Sequence, residues 1–410
     1  MISNDAVVFG ILMIILGVVF YTSNLKSFFW KRFYTFFPTI LLCYFIPSLL
    51  NTAGIVDIKS SENLYFISSR YLLPCALVLL TISIDFKEII KLGPKAIIMF
   101  LTGTFGILIG GPISLLIFII FFPNLITIDF VDLANGMTTI AGSWIGGGAN
   151  QAAMKEVFLV DGEMFSKMVA VDIIVANAWL ALLLIGVGKS KMIDKFLNAD
   201  SSSIEKIRKK IETYNLSISK IPSLNDLISI LSIGFGVTGI SHFFGEFFSS
   251  IIKANFSYLE KFSLTSSFFW LIILSTTIGL ILSFTKVRKL EGVGSSKVGS
   301  IFIYILVATI GLQMNLLSIF ESPGLFLLGF LWISIHIFLL IFVAKIIKAP
   351  FFFVAVGSQA NVGGAASAPV VASAFHPSLA AVGVLLAVFG YAVGTYAAYI
   401  CGLIMQYIVV

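Results

Sequence analysis

The chain has 410 residues, of which 59% are hydrophobic and only 11% are charged, and its formal net charge is +6. Soluble domains carry roughly 45–50% apolar and about 25% charged residues, so this composition excludes a cytosolic enzyme, a secreted disulfide domain and a nucleic-acid binder. With a mean hydropathy of +1.06, the sequence predicts an integral membrane protein. The positive charge fits the usual excess of lysine and arginine in cytoplasmic loops.

Ten stretches are long and apolar enough to cross a hydrocarbon core of about 30 Å. In chain order they cover residues 5–22, 33–50, 66–84, 96–122, 168–188, 224–250, 267–285, 298–314, 324–344 and 379–404. The first stretch follows an amino-terminal sequence without the basic region of a cleaved signal peptide, so we expect it to be a retained helix.

Two further segments, 135–158 and 350–376, are apolar but crowded with Gly, Ala, Ser, Asn and Gln, and each lies between the fourth and fifth spans of its half. If both enter and leave on one side of the membrane, most of the 26 lysines and arginines fall in loops on one face. The positive-inside rule therefore favours re-entrant hairpins, each made of two half-helices. The alternative is twelve crossings, with these two helices unwound in the middle.

The predicted fold is an all-α polytopic membrane protein with two inverted repeats, each of five spanning helices and one broken or re-entrant hairpin. The repeats cover 1–188 and 223–410, and a cytoplasmic basic linker, 189–222, joins them. Because five is odd, the halves have opposite orientations. We expect a multi-pass protein of the inner (plasma) membrane, with the amino terminus outside and the basic linker in the cytoplasm.

The segment Thr138–Met154, TTIAGSWIGGGANQAAM, has the strongest signal for a functional site. Hydrocarbon offers no hydrogen bonds, so a helix break at membrane depth occurs where protein or a water-filled cavity covers the backbone. A second half-helix beginning near Asn150 would direct its positive end at an anion. The predicted substrate or ion ligands of this segment are Ser143, Gly146, Gly147, Gly148, Asn150 and Gln151.

The second glycine-rich segment reads AVGSQANVGGAASAP and ends at Pro369, which cannot continue an ordinary helical hydrogen-bond ladder. Its GGAASAP resembles GGANQAA of the first segment, so we expect the two tips to converge near the midplane. Such convergence is typical of secondary transporters that hold a solute between discontinuous helices. The predicted ligands here are Ser358, Gln359, Asn361, Gly363, Gly364 and Ser367.

Asp172 lies within a predicted span, with Asn177 five positions further on. A charged carboxylate at membrane depth costs about 2.5–3.5 kcal/mol on insertion scales, so it needs a cavity, a partner or a proton. One interpretation is a sodium or proton site near Asp172, Asn177 and the tips; the other is that Asp172 reaches headgroup water. For His336, central in another span, we expect a hydrogen bond to a neighbouring helix.

These patterns favour a secondary active transporter with no cofactor beyond a coupling sodium ion or proton. The alternative is a channel for small solutes or ions, although channels more often build their filter from symmetric subunits. An intramembrane enzyme fits less well, because Ser143 lacks the G-x-S-x-G pattern and Asp172 lacks a second buried carboxylate. The expected partners are a small solute and membrane lipid, with no nucleic acid.

The sequences LTISIDFKEI, MTTIAGSWIGGGANQAAM and QANVGGAASAPVVASAF resemble the YjcL-like integral membrane proteins, a domain family of unknown function, over essentially the whole chain. More distantly, the chain resembles the sodium/glutamate symporters and the 2-hydroxycarboxylate carriers. That resemblance implies an elevator mechanism, sodium or proton coupling and a homodimer. The 2-hydroxycarboxylate carriers have G-G-x-G at each tip, whereas Ala365 follows Gly363 and Gly364 here. Neither tip has an arginine for a dicarboxylate. The expected solute is therefore neutral or monoanionic.

Overall fold

The computed structural model describes residues 2–37, 39–56, 62–125, 128–199, 204, 221–256, 258–259, 264–313, 323–376 and 379–409. Over these ranges the chain is helical, with one isolated β-bridge between Ile2 and Val56 and no named strand. The predicted all-α fold class is confirmed. Most of the predicted basic linker, 189–222, lies outside the described residues.

Among its described residues, the first half contains five helices of at least 19 residues, together with shorter ones. These are α1 (Asp5–Ser23), α2 (Phe28–Phe36), α3 (Thr39–Thr52), α4 (Glu62–Ile82), α5 (Phe86–Lys91), α6 (Pro94–Phe121), α7 (Phe130–Val157), α8 (Gly162–Gly188) and α9 (Ser190–Phe196). Asp161 caps α8 by accepting hydrogen bonds from the backbone N–H groups of Glu163 and Met164, which starts this helix earlier than the predicted residue 168.

The second half follows the same order of long helices. These are α10 (Leu224–Asn255), α11 (Ser267–Ser283), α12 (Ser295–Gly311), α13 (Gly324–Ile347), α14 (Phe351–Val362), α15 (Gly364–Phe375) and α16 (Ala380–Val409). A 3₁₀ segment, Lys286–Val293, lies between α11 and α12, and the chain bends by 95° between α11 and this segment.

One predicted span is divided between two helices in the structure. Residues 33–50 were expected to form a single helix, but α2 ends at Phe36 and α3 begins at Thr39. Phe37 has an extended backbone (φ −119°, ψ 84°). It precedes Pro38 in the sequence, and the proline ring disfavours helical geometry in the residue before it. The continuous helix in this part of the chain is therefore shorter than predicted.

Length, composition and lipid-facing side chains establish a polytopic membrane protein. Seven helices of the described ranges are long and apolar enough to cross a membrane. The number is eight if α11 and the 3₁₀ segment Lys286–Val293 together form one bent span. The predicted spans at α3 and α12 are shorter apolar helices. Ile14, Phe121, Phe243 and Phe338 point outward with 67–70% of their surface exposed. A belt of such side chains belongs in lipid rather than in water.

The long helices sort into two bundles. Bundle A contains the first three spans of each half, namely α1, α3, α4, α10, α11 and α12, and bundle B contains α6, α7, α8, α13, α14, α15 and α16. Within bundle B, α16 packs along α7, and α6 packs between α13 and α14. Both halves therefore contribute the same elements in the same order to each bundle. The opposite orientation of the halves stays a prediction.

Candidate functional site

The first glycine-rich segment folds back on itself at Gly147. Its backbone (φ 75°, ψ −171°) lies in a region that is essentially restricted to glycine. A methyl group on Gly142 would lie 2.6 Å from the Asn150 carbonyl oxygen, although eight residues of straight helix rise about 12 Å. Thr138 and Phe158 also lie against the same residue, Gly402. We call α7 hairpin 1.

The second segment, α14 and α15, turns back in the same way, and we call it hairpin 2. The turn lies between Val362 and Gly364, and Gly364 has a left-handed φ of 55°. Across it, the Ser367 hydroxyl donates to Gln359 Oε1 at 2.9 Å. A methyl group on Gly364 would lie 3.8 Å from the Gly147 Cα, so the two tips are in contact. Residues separated by more than two hundred positions thus meet at one point.

Asp172 ties α8 to hairpin 1. Its Oδ2 accepts hydrogen bonds from Ser143 Oγ at 2.6 Å and from Gln151 Nε2 at 3.0 Å, and its Oδ1 accepts one from Trp144 Nε1 at 2.7 Å. The residue is 7% exposed, so its side chain lies inside the protein. Three donors on one carboxylate stabilise its ionised form. Within the described ranges, no lysine, arginine or histidine forms an ion pair with it.

A cavity of about 130 Å³, which we call cavity 1, lies where the two tips and α8 meet, and polar side chains stand among its apolar ones. Most of the predicted ligands line it. They are Ser143, Gly147, Gly148, Gln151, Asp172, Asn177, Gln359, Gly363 and Ser367. Apolar side chains of α8 and Tyr44 of α3 complete the wall. The structure therefore brings together residues from both halves of the chain at one partly open site.

Two amides of cavity 1 have unused hydrogen-bonding atoms. Asn177 Nδ2 donates to the Ile173 carbonyl at 2.7 Å, which leaves its Oδ1 without a donor in the described part of the chain. Gln359 Oε1 accepts from Ser367, but Gln359 Nε2 is buried with no acceptor in the described residues. An unmet buried donor costs about 1–3 kcal/mol. These atoms are therefore candidates for contact with a ligand.

A second cavity, cavity 2, also lies at the two tips and has a volume of about 180 Å³. Bundle A contributes Leu80, Ser300, Ile303 and Tyr304, and bundle B contributes Tyr391 and the tips. The predicted ligands that line this cavity are Gly147, Gly148, Gly363 and Gly364. The tips therefore contribute to the lining of both cavities, and cavity 2 lies between the bundles.

Asn150 holds hairpin 1 to α16 instead of lining either cavity. Its Nδ2 donates to the Tyr391 carbonyl at 2.9 Å, and its Oδ1 accepts from Thr395 Oγ1 at 2.6 Å. Gly146 lies at the same contact, because a methyl group on Gly394 would be 2.6 Å from its Cα. Gly146 and Asn150, which were predicted to be ligands, therefore brace the tip of hairpin 1 against α16 in the structure.

Asn361 repeats this pattern in hairpin 2, against α6. Its Nδ2 donates to the Phe100 carbonyl at 2.9 Å, and its Oδ1 accepts from Thr104 Oγ1 at 2.7 Å. In both hairpins an asparagine binds a helix carbonyl and the threonine one turn further along that helix. The two tips are thus fixed by the same arrangement, even though the two asparagines lie on opposite sides of their turns.

Ser358 also lies outside the cavities, in a chain of buried hydrogen bonds. Trp179 Nε1 donates to Ser358 Oγ at 2.8 Å, and Ser358 Oγ lies 2.8 Å from His336 Nε2. His336 Nδ1 is 3.0 Å from the Gly103 carbonyl, so Nδ1 carries the hydrogen and Nε2 accepts from Ser358. The predicted hydrogen bond from His336 to a neighbouring helix is confirmed.

Three residues with direct roles in this geometry were not predicted. Trp144 and Trp179 supply buried indole donors, and Tyr44 Oη lies 3.4 Å from Gln151 Oε1. A buried indole N–H needs an acceptor, so the position of Trp144 directly after Ser143 was a usable signal. Tyr44 lies in an apolar stretch, LLCYFI, that gives no such signal.

The bracing role of Asn361 predicts a loss of stability on substitution. Asn361→Leu keeps a similar size but removes the donor to the Phe100 carbonyl and the acceptor for Thr104. We expect the free energy of unfolding to fall by about 1–3 kcal/mol, measured as a lower melting temperature of the purified protein. The control is Asn255→Leu, at an exposed position of α10. Equal melting temperatures for the two variants would contradict the bracing role.

Comparison with known proteins identifies the family of the chain. A family model described as "Protein of unknown function (DUF819)" matches residues 10–408. The chain is also similar to the uncharacterized membrane protein YjcL of Bacillus subtilis (strain 168), with 26% identity over 359 residues that cover 85% of each chain. The resemblance to the YjcL-like proteins is thereby confirmed. The chain is a multi-pass membrane protein that belongs to the DUF819 family.

Proposed function

We propose that this protein is a secondary active transporter that moves a small organic solute, neutral or monoanionic, by alternating access. The observation that carries the proposal is the contact between the tips at Gly147 and Gly364, beside two cavities. Irregular backbone within a membrane protein is tolerated where it is buried or lines a cavity. Two half-helix tips that meet at a polar cavity are the arrangement in which many secondary transporters bind their solute.

Coupling to sodium or protons is supported by Asp172. The carboxylate is buried, receives three hydrogen bonds and has no ion-pair partner among the described residues. A buried negative charge without a partner is unfavourable, so binding of a cation or a proton in cavity 1 would be favoured. The oxygens of Ser143 and Asn177 line the same cavity and suit a hard cation.

The two bundles support an elevator-type movement. Bundle B contains both tips and cavity 1 except for Tyr44, whereas cavity 2 lies between the bundles. Movement of bundle B as one body along bundle A would carry a solute bound at the tips. The ion pair between Arg70 of α4 and Glu156 of α7, at 2.9 Å, links the bundles and would break during this movement.

The membrane topology follows from the same proposal. With both hairpins re-entrant, each half has five spans, so the halves are inverted repeats and the amino terminus lies outside. The location is the plasma membrane, and a homodimer surrounded by lipid is the assembly that the distant resemblance implies. An enzymatic activity is not part of the proposal: among the described residues that line the two cavities, there is no histidine, cysteine or lysine to act as a base for Ser143.

A counterflow experiment separates a carrier from a channel, the second candidate function. Thermal-shift screening of the purified protein first identifies a stabilising solute, because selective binding to the folded state raises the melting temperature. Proteoliposomes loaded with that solute are then diluted into buffer with a trace of labelled solute. A carrier transiently accumulates the label inside, whereas an open pore only equilibrates it. Equilibration without overshoot would reject the transporter proposal in favour of a channel.

A further inference from the structure

The polar atoms of cavity 1 are divided between two walls, and the division goes beyond the proposed function on which this inference rests. The wall formed by hairpin 1 and α8 presents oxygen atoms, from the Asp172 carboxylate, Ser143 and Asn177. The wall formed by hairpin 2 includes Gln359, which is only 1% exposed and whose Nε2 has no hydrogen-bond acceptor among the described residues. One wall therefore suits a positive group and the other suits an anion.

The start of α15 strengthens the donor wall. This helix has 12 residues and begins at Gly364, immediately after the cavity-lining Gly363. The first N–H groups of a helix have no intrahelical acceptor, and they carry a partial positive charge. No side-chain cap covers them in the structure. Together with Gln359 Nε2, they form a set of donors that a carboxylate can satisfy.

We propose that cavity 1 binds a short-chain monocarboxylate together with one monovalent positive group, the carboxylate on hairpin 2 and the positive group on the Asp172 wall. The positive group is either a sodium ion or the ammonium group of the solute itself. In both cases the two opposite charges are neighbours within one cavity. Each charge then lowers the cost of burying the other, so the affinities are coupled reciprocally.

Charge and size limit the ligand. Asp172 contributes one negative charge, one cation neutralises it, and the donor wall then accommodates one further carboxylate. A second carboxylate would meet only the oxygens of Asp172, Ser143 and Asn177. The volume of about 130 Å³ is close to that of a cavity of roughly 150 Å³ known to hold benzene, which sets a size of about five or six non-hydrogen atoms. Val169, Ile173 and other apolar side chains suit a short alkyl tail.

The test measures melting temperatures of the purified protein with four probes of matched size, namely propionate, alanine, propionamide and propylamine. Each probe is added in sodium chloride and in choline chloride. We expect propionate to stabilise the protein only in sodium if the ion is the positive group. If the ammonium group of the solute is the positive group, we expect alanine to stabilise the protein in both salts. Equal stabilisation by propionamide, or none by propionate and alanine, would overturn the proposal.

A variant of Gln359 tests the wall formed by hairpin 2. Gln359→Glu replaces the unpaired N–H₂ by an oxygen of the same size and is expected to weaken carboxylate binding by at least tenfold. The control is Gln406→Glu, which lies outside both cavities and donates to Asn135 instead. If Gln359→Glu does not fold, the four-probe comparison on the unmodified protein still decides the proposal. Undiminished carboxylate affinity in a folded Gln359→Glu variant would also overturn it.

The outcomes separate this inference from the proposed function. Stabilisation by a carboxylate with no counterflow of the same compound would leave the ligand assignment standing and reject transport. Counterflow of solutes without a carboxylate would leave transport standing and reject the ligand assignment. Counterflow of the stabilising carboxylate, with the salt dependence seen in the melting experiment, would support both.

Discussion

Replacement of Gly147 by valine is expected to abolish solute uptake, a reduction of at least tenfold, while the protein still inserts in the membrane. The nearest atom to a side chain at this position would be a Tyr391 ring carbon at 3.7 Å, so space is available. The obstacle is the backbone, because φ 75° and ψ −171° are essentially closed to any residue with a Cβ. The strain is about 1–3 kcal/mol, and the tip would relax by moving away from Gly364.

Gly364→Val provides a second test from the other hairpin. Its φ of 55° is left-handed, which asparagine tolerates and a β-branched residue does not, so Gly364→Asn should retain more uptake than Gly364→Val. The matched control is Gly236→Val in α10, where nothing lies within 4 Å and no unusual φ occurs. Uptake assays in proteoliposomes, normalised to reconstituted protein, decide the matter. Normal uptake by both tip variants would remove the tips from the transport site.

The position of the tips was predictable from sequence because it depends on composition. A run of glycine within an apolar segment breaks a helix, and membrane proteins place such breaks inside the protein. The same reasoning located Ser143, Gln151 and Gln359, which line cavity 1. It also placed Asp172 near them, since a carboxylate in a span needs an enclosed environment.

The direction of each side chain was not predictable in the same way. Asn150 and Asn361 have the composition of ligands, yet their amides bind the carbonyl and threonine of a neighbouring helix. Which face of a half-helix points into the cavity depends on the exact residue at which the chain turns. The expected start near Asn150 differs from the turn at Gly147 by three residues, almost a full helical turn. Contacts between the bundles, such as that of Tyr44 with Gln151, depend on packing that sequence patterns do not contain.

Asp172→Asn is expected to remove the response of uptake to sodium or to pH and to lower uptake at least tenfold. Asparagine keeps the shape of the side chain but not its charge, so the cation in cavity 1 loses its only buried counter-charge among the described cavity-lining residues. The new amide N–H₂ would also face the donors of Ser143, Trp144 and Gln151. Uptake is measured at several sodium concentrations and several pH values.

The charge change is separable from a loss of stability. Loss of a buried charge lowers the desolvation cost, which offsets part of the weakened hydrogen bonding, so the melting temperature should change by only a few degrees. The control is Glu246→Gln, the same carboxylate-to-amide change at an exposed position of α10. If Asp172→Asn retains the sodium and pH responses of the unmodified protein, Asp172 is a structural anchor for hairpin 1 and the coupling ion binds elsewhere. If both responses vanish in a protein with an unchanged melting temperature, the carboxylate acts on the ion rather than on the fold.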